Sequence, residues 1–170
     1  MKIKLVITDI DGVWTDGGMY YDNSGNELKK FNTSDGAGVL FLKRLNTPVC
    51  IITGEDTELV RRRAEKLGVE YLFMGVRNKL KVARELCRKL DISLHDETAY
   101  IGDDLIDIPL LKNVYYSAVP ADAPDYVKPF ARFVMSRKGG NGVFREFVEK
   151  ILTENSLLDK AIRGYLNSLT

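Results

Sequence analysis

The chain has 170 residues, 45% hydrophobic and 29% charged, which allows a sizeable core and excludes disorder as an overall description. Lys+Arg 25 against Asp+Glu 24 leaves a formal net charge of +1, so no electrostatic footprint points to nucleic acid. Neither the apolar region of a signal peptide nor a run of membrane length is present, and the expectation is a cytoplasmic protein with no membrane partner.

The first predicted element is a strand over residues 3–7, running into Thr8-Asp9-Ile10-Asp11-Gly12. Residues 13–31 then depart from any helical pattern. Gly17-Gly18, Met19-Tyr20-Tyr21, Asp22-Asn23-Ser24-Gly25 and Glu27 to Phe31 read as two strands joined by a turn, a protruding β-hairpin too short to be a separate domain. A helix follows over 36–45, a strand over 48–52 ending in Thr53-Gly54, a helix over 57–67 and a strand over 69–73. Leu80, Ala83, Leu86, Cys87 and Leu90 form one apolar stripe on a helix over 79–90. A strand over 98–101 ends in Gly102-Asp103-Asp104, another covers 114–118, and residues 133–136 suit an edge strand. An amphipathic helix over 143–152 and a weaker helical tail follow. This alternation predicts an α/β fold: a central parallel sheet with helices on both faces, in one domain spanning 1–170. Cys50 in an apolar run and Cys87 in a helix stripe have no metal or disulfide spacing and read as structural thiols. His95, without a second histidine, reads as a surface residue.

Asp9-x-Asp11-Gly12, directly after an apolar strand, is the sharpest local signal. A turn beginning at Asp11 brings both carboxylates toward one small site, and Gly12 permits a close backbone approach. Such a pair divides labour, one carboxylate attacking and the other carrying a proton, although Asp also caps ordinary turns at strand ends. Asp103, Asp104 and Asp107 at another strand end favour the chemical reading, because ligands of parallel α/β sheets sit beyond the carboxyl ends of the strands. Converging carboxylates repel one another unless a cation intervenes, and with no His/Cys set a hard Mg2+-like ion suits them better than zinc. Thr53-Gly54 supplies a hydroxyl and backbone N–H groups at a third strand end. Lys79 opens a helix after Gly75-Val76-Arg77-Asn78, so that either it is solvated or it neutralises phosphoryl oxygens the metal does not reach.

Taken in order, Asp9-Ile10-Asp11-Gly12, Thr53-Gly54, Lys79 and Gly102-Asp103-Asp104-Leu105-Ile106-Asp107 resemble the haloacid dehalogenase superfamily in its phosphatase branch, over nearly the whole core. The resemblance implies a Rossmann-like core and a Mg2+-dependent phosphomonoester hydrolase. It makes Asp9 the nucleophile that forms an aspartyl-phosphate, Asp11 the general acid/base, and Thr53 and Lys79 the phosphoryl binders. Mg2+ would be held by the Asp9 carboxylate, the Asp11 backbone carbonyl and Asp103, with Asp104 and Asp107 supporting the metal site. In more detail the chain is similar to the small capless phosphatases of 3-deoxy-ulosonate phosphates. The marks are the hairpin, Phe31-Asn32-Thr33-Ser34-Asp35-Gly36, Gly75-Val76-Arg77-Asn78-Lys79, Val119-Pro120-Ala121-Asp122-Ala123 and Arg137-Lys138-Gly139-Gly140-Asn141-Gly142. That family is typically a homotetramer whose hairpins pack around the symmetry axis.

Trp14, Met19, Tyr20, Tyr21 and Phe31 give the hairpin an apolar load of its own, which either joins it to other copies or folds it over its own sheet. For the substrate, Gly54, Glu55, Arg61 and Lys66 are the candidate contacts. Glu55 with Lys66 resembles the nine-carbon subset, in which a carboxylate accepts sugar hydroxyls, although Glu55 is also an ordinary acidic residue for a helix N-terminus. Arg61-Arg62-Arg63 either coats the solvent face of its helix or reaches the carboxylate of a substrate bound to another subunit. The expected function is therefore hydrolysis of a 3-deoxy-nonulosonate 9-phosphate. The alternatives are 3-deoxy-D-manno-octulosonate 8-phosphate as substrate, a phosphosugar mutase, which the missing cap disfavours, or an inactive assembly protein, which the intact acidic set disfavours.

Overall fold

The structure is a computed structural model that describes residues 2–168. Its strands are β1 (Leu5–Thr8), β2 (Tyr20–Tyr21), β3 (Glu27–Leu28), β4 (Val49–Ile52), β5 (Tyr71–Phe73), β6 (Thr98–Ile101), β7 (Tyr116–Val119) and β8 (Phe133–Val134). The helices are α1 (Asp35–Arg44), α2 (Glu58–Leu67), α3 (Lys79–Leu90), α4 (Leu94–Glu97), α5 (Ile108–Leu111), α6 (Val143–Glu154) and α7 (Leu158–Leu166). Six strands form one parallel sheet in the order β5-β4-β1-β6-β7-β8, and β2 and β3 form a separate antiparallel pair. The expected α/β architecture is thus observed, including the edge strand.

The continuous apolar runs are explained by burial on both faces. Along the central strands, alternate side chains enter two different cores: Val6, Val49, Ile51, Ala99 and Ile101 face one, and Leu5, Ile7, Cys50, Ile52 and Tyr100 face the other. Helices α1, α2, α6 and α7 cover the first face, and α3 and α5 the second. In α6 the pattern Val143, Phe144, Phe147, Val148, Ile151, Leu152 is fully buried, each of these side chains being worth about 1.5–3 kcal/mol of transfer free energy. Cys50 and Cys87 are free and buried in the second core. The short helices α4 and α5 lie below the length at which an apolar period is readable, and α5 is marked only by Pro109 in its first turn. His95 falls within α4, exposed, beside Asp96.

The apolar load of the hairpin divides between the two alternatives. Trp14 folds onto its own chain: the ring is buried against Phe144 at 4.9 Å, and its Nε1 donates to Thr8 Oγ1 at 3.0 Å. Phe31 also packs at the edge of the first core, opposite Thr15 in an isolated bridge. Both sit at the root of the hairpin, within reach of the core, whereas Met19, Tyr20, Tyr21 and Leu28 farther out are exposed. Among the described residues no helix is long and apolar enough to cross a membrane.

Candidate active site

Strands β4, β1 and β6 are parallel neighbours in the middle of the sheet, so Thr53, Asp9 and Asp103 all emerge at its carboxyl end. They line a cleft of about 330 Å³ together with Asp11, Gly12, Gly54, Glu55, Lys79 and Asp104. The backbone of Asp9 continues the sheet, its N–H donating to Ile101 at 3.0 Å. The Asp11 turn then leaves the strand, with Gly12 at φ 76°. A Cβ at Gly12 would stand 1.9 Å from Asp103 Oδ2, so glycine is required both by the left-handed backbone and by the carboxylate beside it. This turn is braced from behind by a distant loop. Gly140 N–H donates to Val13 at 2.9 Å, and a Cβ at Gly139 would collide with the Gly12 carbonyl at 2.1 Å. Asp122 accepts from Gly139 N–H at 2.9 Å and Asn32 donates to the Gly140 carbonyl at 3.1 Å, which gives three of the sequence marks around residues 32, 122 and 140 a common purpose.

Lys79, the first residue of α3, is buried among the acids. Its Nζ lies 2.7 Å from Asp9 Oδ2 and 2.6 Å from Asp107 Oδ1. Burial pulls an ammonium down, but the charges of Asp9 and Asp107 outweigh it and hold Lys79 above its ordinary value. Asp107 is saturated. Its Oδ1 also accepts from the Tyr100 hydroxyl, and its Oδ2 accepts the N–H groups of Asp103 at 2.8 Å and Asp104 at 3.0 Å. Asp104 caps the short turn after β6, accepting from Leu105 N–H at 2.7 Å.

Oxygen atoms of Asp9, Asp103 and Asp107 lie within 4.8 Å of one another. Asp9 Oδ1 is buried without a hydrogen-bond partner. Burial, opposed by Lys79 and reinforced by Asp107, pushes Asp9 up to about 7. Burial with the charges of Asp9 and Asp107 pushes Asp103 up to about 8. A hard divalent cation fits these residues: an all-oxygen donor set, an orphaned carboxylate oxygen and two acids that resist ionising without a counter-charge. Because all the Asp107 bonds are accounted for, Asp9 and Asp103 are the open donors, and Asp107 orients Lys79 and the Asp103 backbone.

Asp11 faces the same cleft but is fastened from elsewhere. Lys29 Nζ lies 2.8 and 2.7 Å from its two carboxylate oxygens, and Thr15 Oγ1 donates to Oδ1 at 3.2 Å. Lys29 and Tyr100 escaped the sequence reading. For Tyr100 a signal existed, a phenol in the buried strand Thr98–Ile101 two residues before the acidic turn; for Lys29 the signal was weaker, the alternation Lys29-Lys30-Phe31 in a strand arm.

The substrate candidates separate. Gly54 and Glu55 line the cleft. Lys66 does not; it lines an adjoining groove of about 550 Å³ with Lys29, Phe31, Arg62 and Arg63. Arg61 lines neither, and is exposed beside Asp56 at 3.7 Å and Glu58 at 3.5 Å.

A family profile of haloacid dehalogenase-like hydrolases matches residues 75–147. The chain is 39% identical to 3-deoxy-D-manno-octulosonate 8-phosphate phosphatase KdsC of Haemophilus influenzae, over 99% of this chain and 94% of that protein. It is 41% identical to the protein of that name from Escherichia coli strain K12, over 94% and 85%. Among solved structures, the 3-deoxy-D-manno-octulosonate 8-phosphate phosphatase of Moraxella catarrhalis, in complex with magnesium, phosphate and KDO, superposes with a TM-score of 0.92 at 34% identity, covering 96% of this chain and 94% of that one. The cobalt-bound phosphatase of Haemophilus influenzae gives 0.87 at 37%, covering 97% of both chains. The chain belongs to the haloacid dehalogenase superfamily, and its activity class is that of a phosphomonoester hydrolase.

Proposed function

We propose that the chain is a Mg2+-dependent phosphatase that hydrolyses 3-deoxy-D-manno-octulosonate 8-phosphate to the free sugar acid and phosphate. The observation that carries this reading is the near full-length identity to phosphatases of that name, combined with an acidic cleft whose donors suit Mg2+. The nine-carbon preference drawn from Glu55 and Lys66 accordingly yields to the eight-carbon substrate. Glu55 keeps a place in the cleft wall, where it can accept a sugar hydroxyl, whereas Lys66 lies outside the cleft.

In this reading the Asp9 carboxylate attacks phosphorus and Asp11 gives its proton to the departing sugar oxygen. Water then attacks the aspartyl-phosphate as Asp11, now ionised, takes a proton from it, which frees Asp9 and releases phosphate. Thr53 and Lys79 bind phosphoryl oxygens, and Asp107 holds the ammonium in place. Asp9, Asp103 and the Asp11 carbonyl are the proposed holders of Mg2+, which when bound offsets the charge of the phosphoryl group. We also read the chain as one capless unit that assembles as a tetramer through the exposed hairpin residues Met19, Tyr20, Tyr21 and Leu28.

The deciding measurement is kcat/KM for 3-deoxy-D-manno-octulosonate 8-phosphate beside the deaminated and N-acylated nine-carbon 9-phosphates. The eight-carbon ester is expected to be fastest at limiting concentration. A nine-carbon preference that shrinks about tenfold in Glu55→Ala, equivalent to about 1.4 kcal/mol, would reverse the substrate choice and leave the phosphatase reading in place.

A further inference from the structure

We infer that Lys29, carried by the hairpin, is a positioning residue for the proton-transfer group Asp11, so that the root of the hairpin belongs to the chemical apparatus as well as to any assembly surface. This inference rests on the phosphatase reading above.

The hairpin rises from the turn after Asp11 and returns to α1, and its two arms meet at the Thr15–Phe31 bridge. Beside that bridge, both arms reach back to Asp11: Thr15 Oγ1 from the outgoing arm at 3.2 Å, and Lys29 Nζ from the returning arm at 2.7 and 2.8 Å. The alternation of the returning arm explains the selection. Lys29 turns inward, Lys30 turns outward to Asp16 at 3.2 Å, and Phe31 turns inward onto the first core. The Lys29 side chain has 0% exposure, an uncommon state for a lysine on a thin two-stranded element, and the ion pair with Asp11 offsets its burial. Asp11 itself keeps 26% exposure toward the cleft. Its carboxylate is therefore gripped from the hairpin side and open on the side where a departing oxygen would lie. Lys79 has no part in this grip; it serves Asp9 and Asp107.

An acid held in one orientation near a breaking bond contributes to the rate through geometry, and a misplacement of about 1 Å costs up to about 100-fold. In the first half of the reaction, different esters depend on Asp11 differently. Release of an alkoxide from a sugar phosphate needs a proton, whereas release of nitrophenolate does not, because that anion is stable in neutral water.

The test uses the full chain with Mg2+ in single-turnover experiments, enzyme in excess, comparing Lys29→Met with the wild type. One ester is p-nitrophenyl phosphate; the other is whichever of the eight- and nine-carbon sugar phosphates the wild type prefers. Release of the sugar alcohol is expected to slow at least about tenfold in Lys29→Met, while nitrophenolate release and the half-saturating concentration of either ester stay within about twofold. Lys29→Arg is expected to recover sugar release to within about threefold of the wild type. Equal slowing on both esters would overturn the inference, since Lys29 would then support phosphate binding or the fold; so would sugar release that does not slow at all. Should Lys29→Met fail to fold, Thr15→Val must show the same split at smaller size, and equal rates on both esters there would overturn it too. Absence of wild-type turnover with every ester would instead remove the phosphatase reading, and the inference with it.

Discussion

Asp9 and Asp11 stand two residues apart, yet different parts of the molecule hold them. Asp9 is set by the sheet: a strand hydrogen bond to β6, then Lys79, Asp107 and Tyr100 in a chain of buried bonds. Asp11 is set by a hairpin with four exposed large apolar side chains, Met19, Tyr20, Tyr21 and Leu28. The difference separates two tasks. A group that must attack along a fixed line gains from a rigid, low-dielectric setting, whereas a group that passes a proton back and forth needs one face toward the cleft.

Removing the sheet-held acid is expected to have the largest effect. Asp9→Asn is expected to lower kcat by about 10⁴-fold or more while leaving the oligomer mass unchanged; rapid-quench trapping of labelled Asp9 in the wild type would test the covalent step. Next in size is Lys79→Met. With Asp107 buried and its cationic partner gone, urea denaturation should show a loss of about 3–5 kcal/mol alongside the loss of turnover.

A third experiment asks how far the acids oppose the fold. Without metal, burial holds Asp9 at about 7 and Asp103 at about 8, against 3.8 for an ordinary aspartate. The unfolded chain therefore binds fewer protons than the folded one between about pH 4 and pH 8, and stability falls as the pH rises through that window. Mg2+ replaces those protons. The stabilisation it gives should accordingly grow from about pH 5 to pH 8, read as the difference in denaturation midpoint with Mg2+ and with a chelator. A difference independent of pH would mean that the two acids are not the ones neutralised.

The smallest effect is expected at the far end of the hairpin. Tyr20→Glu with Tyr21→Glu should leave kcat within about threefold and monomer stability within about 0.5 kcal/mol, because both rings face solvent, while lowering the mass seen in sedimentation and raising KM. A wild-type protein that sediments as a monomer would remove the assembly reading.

The same contrast marks what was readable beforehand. The sheet, its order of elements and the acids at its strand ends were legible because apolar runs, helical periods and strand-end polar residues are local signals. Lys79 was legible only in company: a helix-start lysine alone reads equally as solvated, and it gained a role from the acids and Thr53-Gly54 at the strand ends and from the family resemblance. Lys29 was not legible, because its meaning comes from an antiparallel register that carries it back over an aspartate 18 positions earlier. Whether Trp14 would join other copies or fold onto its own chain stayed open for a related reason: its partner, Phe144, lies on α6, far along the chain. The two 3-10 turns and the helices α4 and α5 were too short to announce themselves.

The brace behind Gly12 also has a consequence for how the protein is made. β1 precedes every other strand of its sheet along the chain, yet it lies in the middle of that sheet, and the loop that closes over its turn arrives only at Gly139 and Gly140. That loop is tied down over long separations too: Asn32 donates to the Gly140 carbonyl across 108 residues, and farther on Arg145 N–H donates to Asp35 across 110. A nascent chain short of residue 140 has its aspartates, its β4 partner and its hairpin, but no completed turn to hold them. Completion of the turn therefore waits on a contact with a large loop-closure entropy, supplied by residues that are synthesised well after the acids they brace.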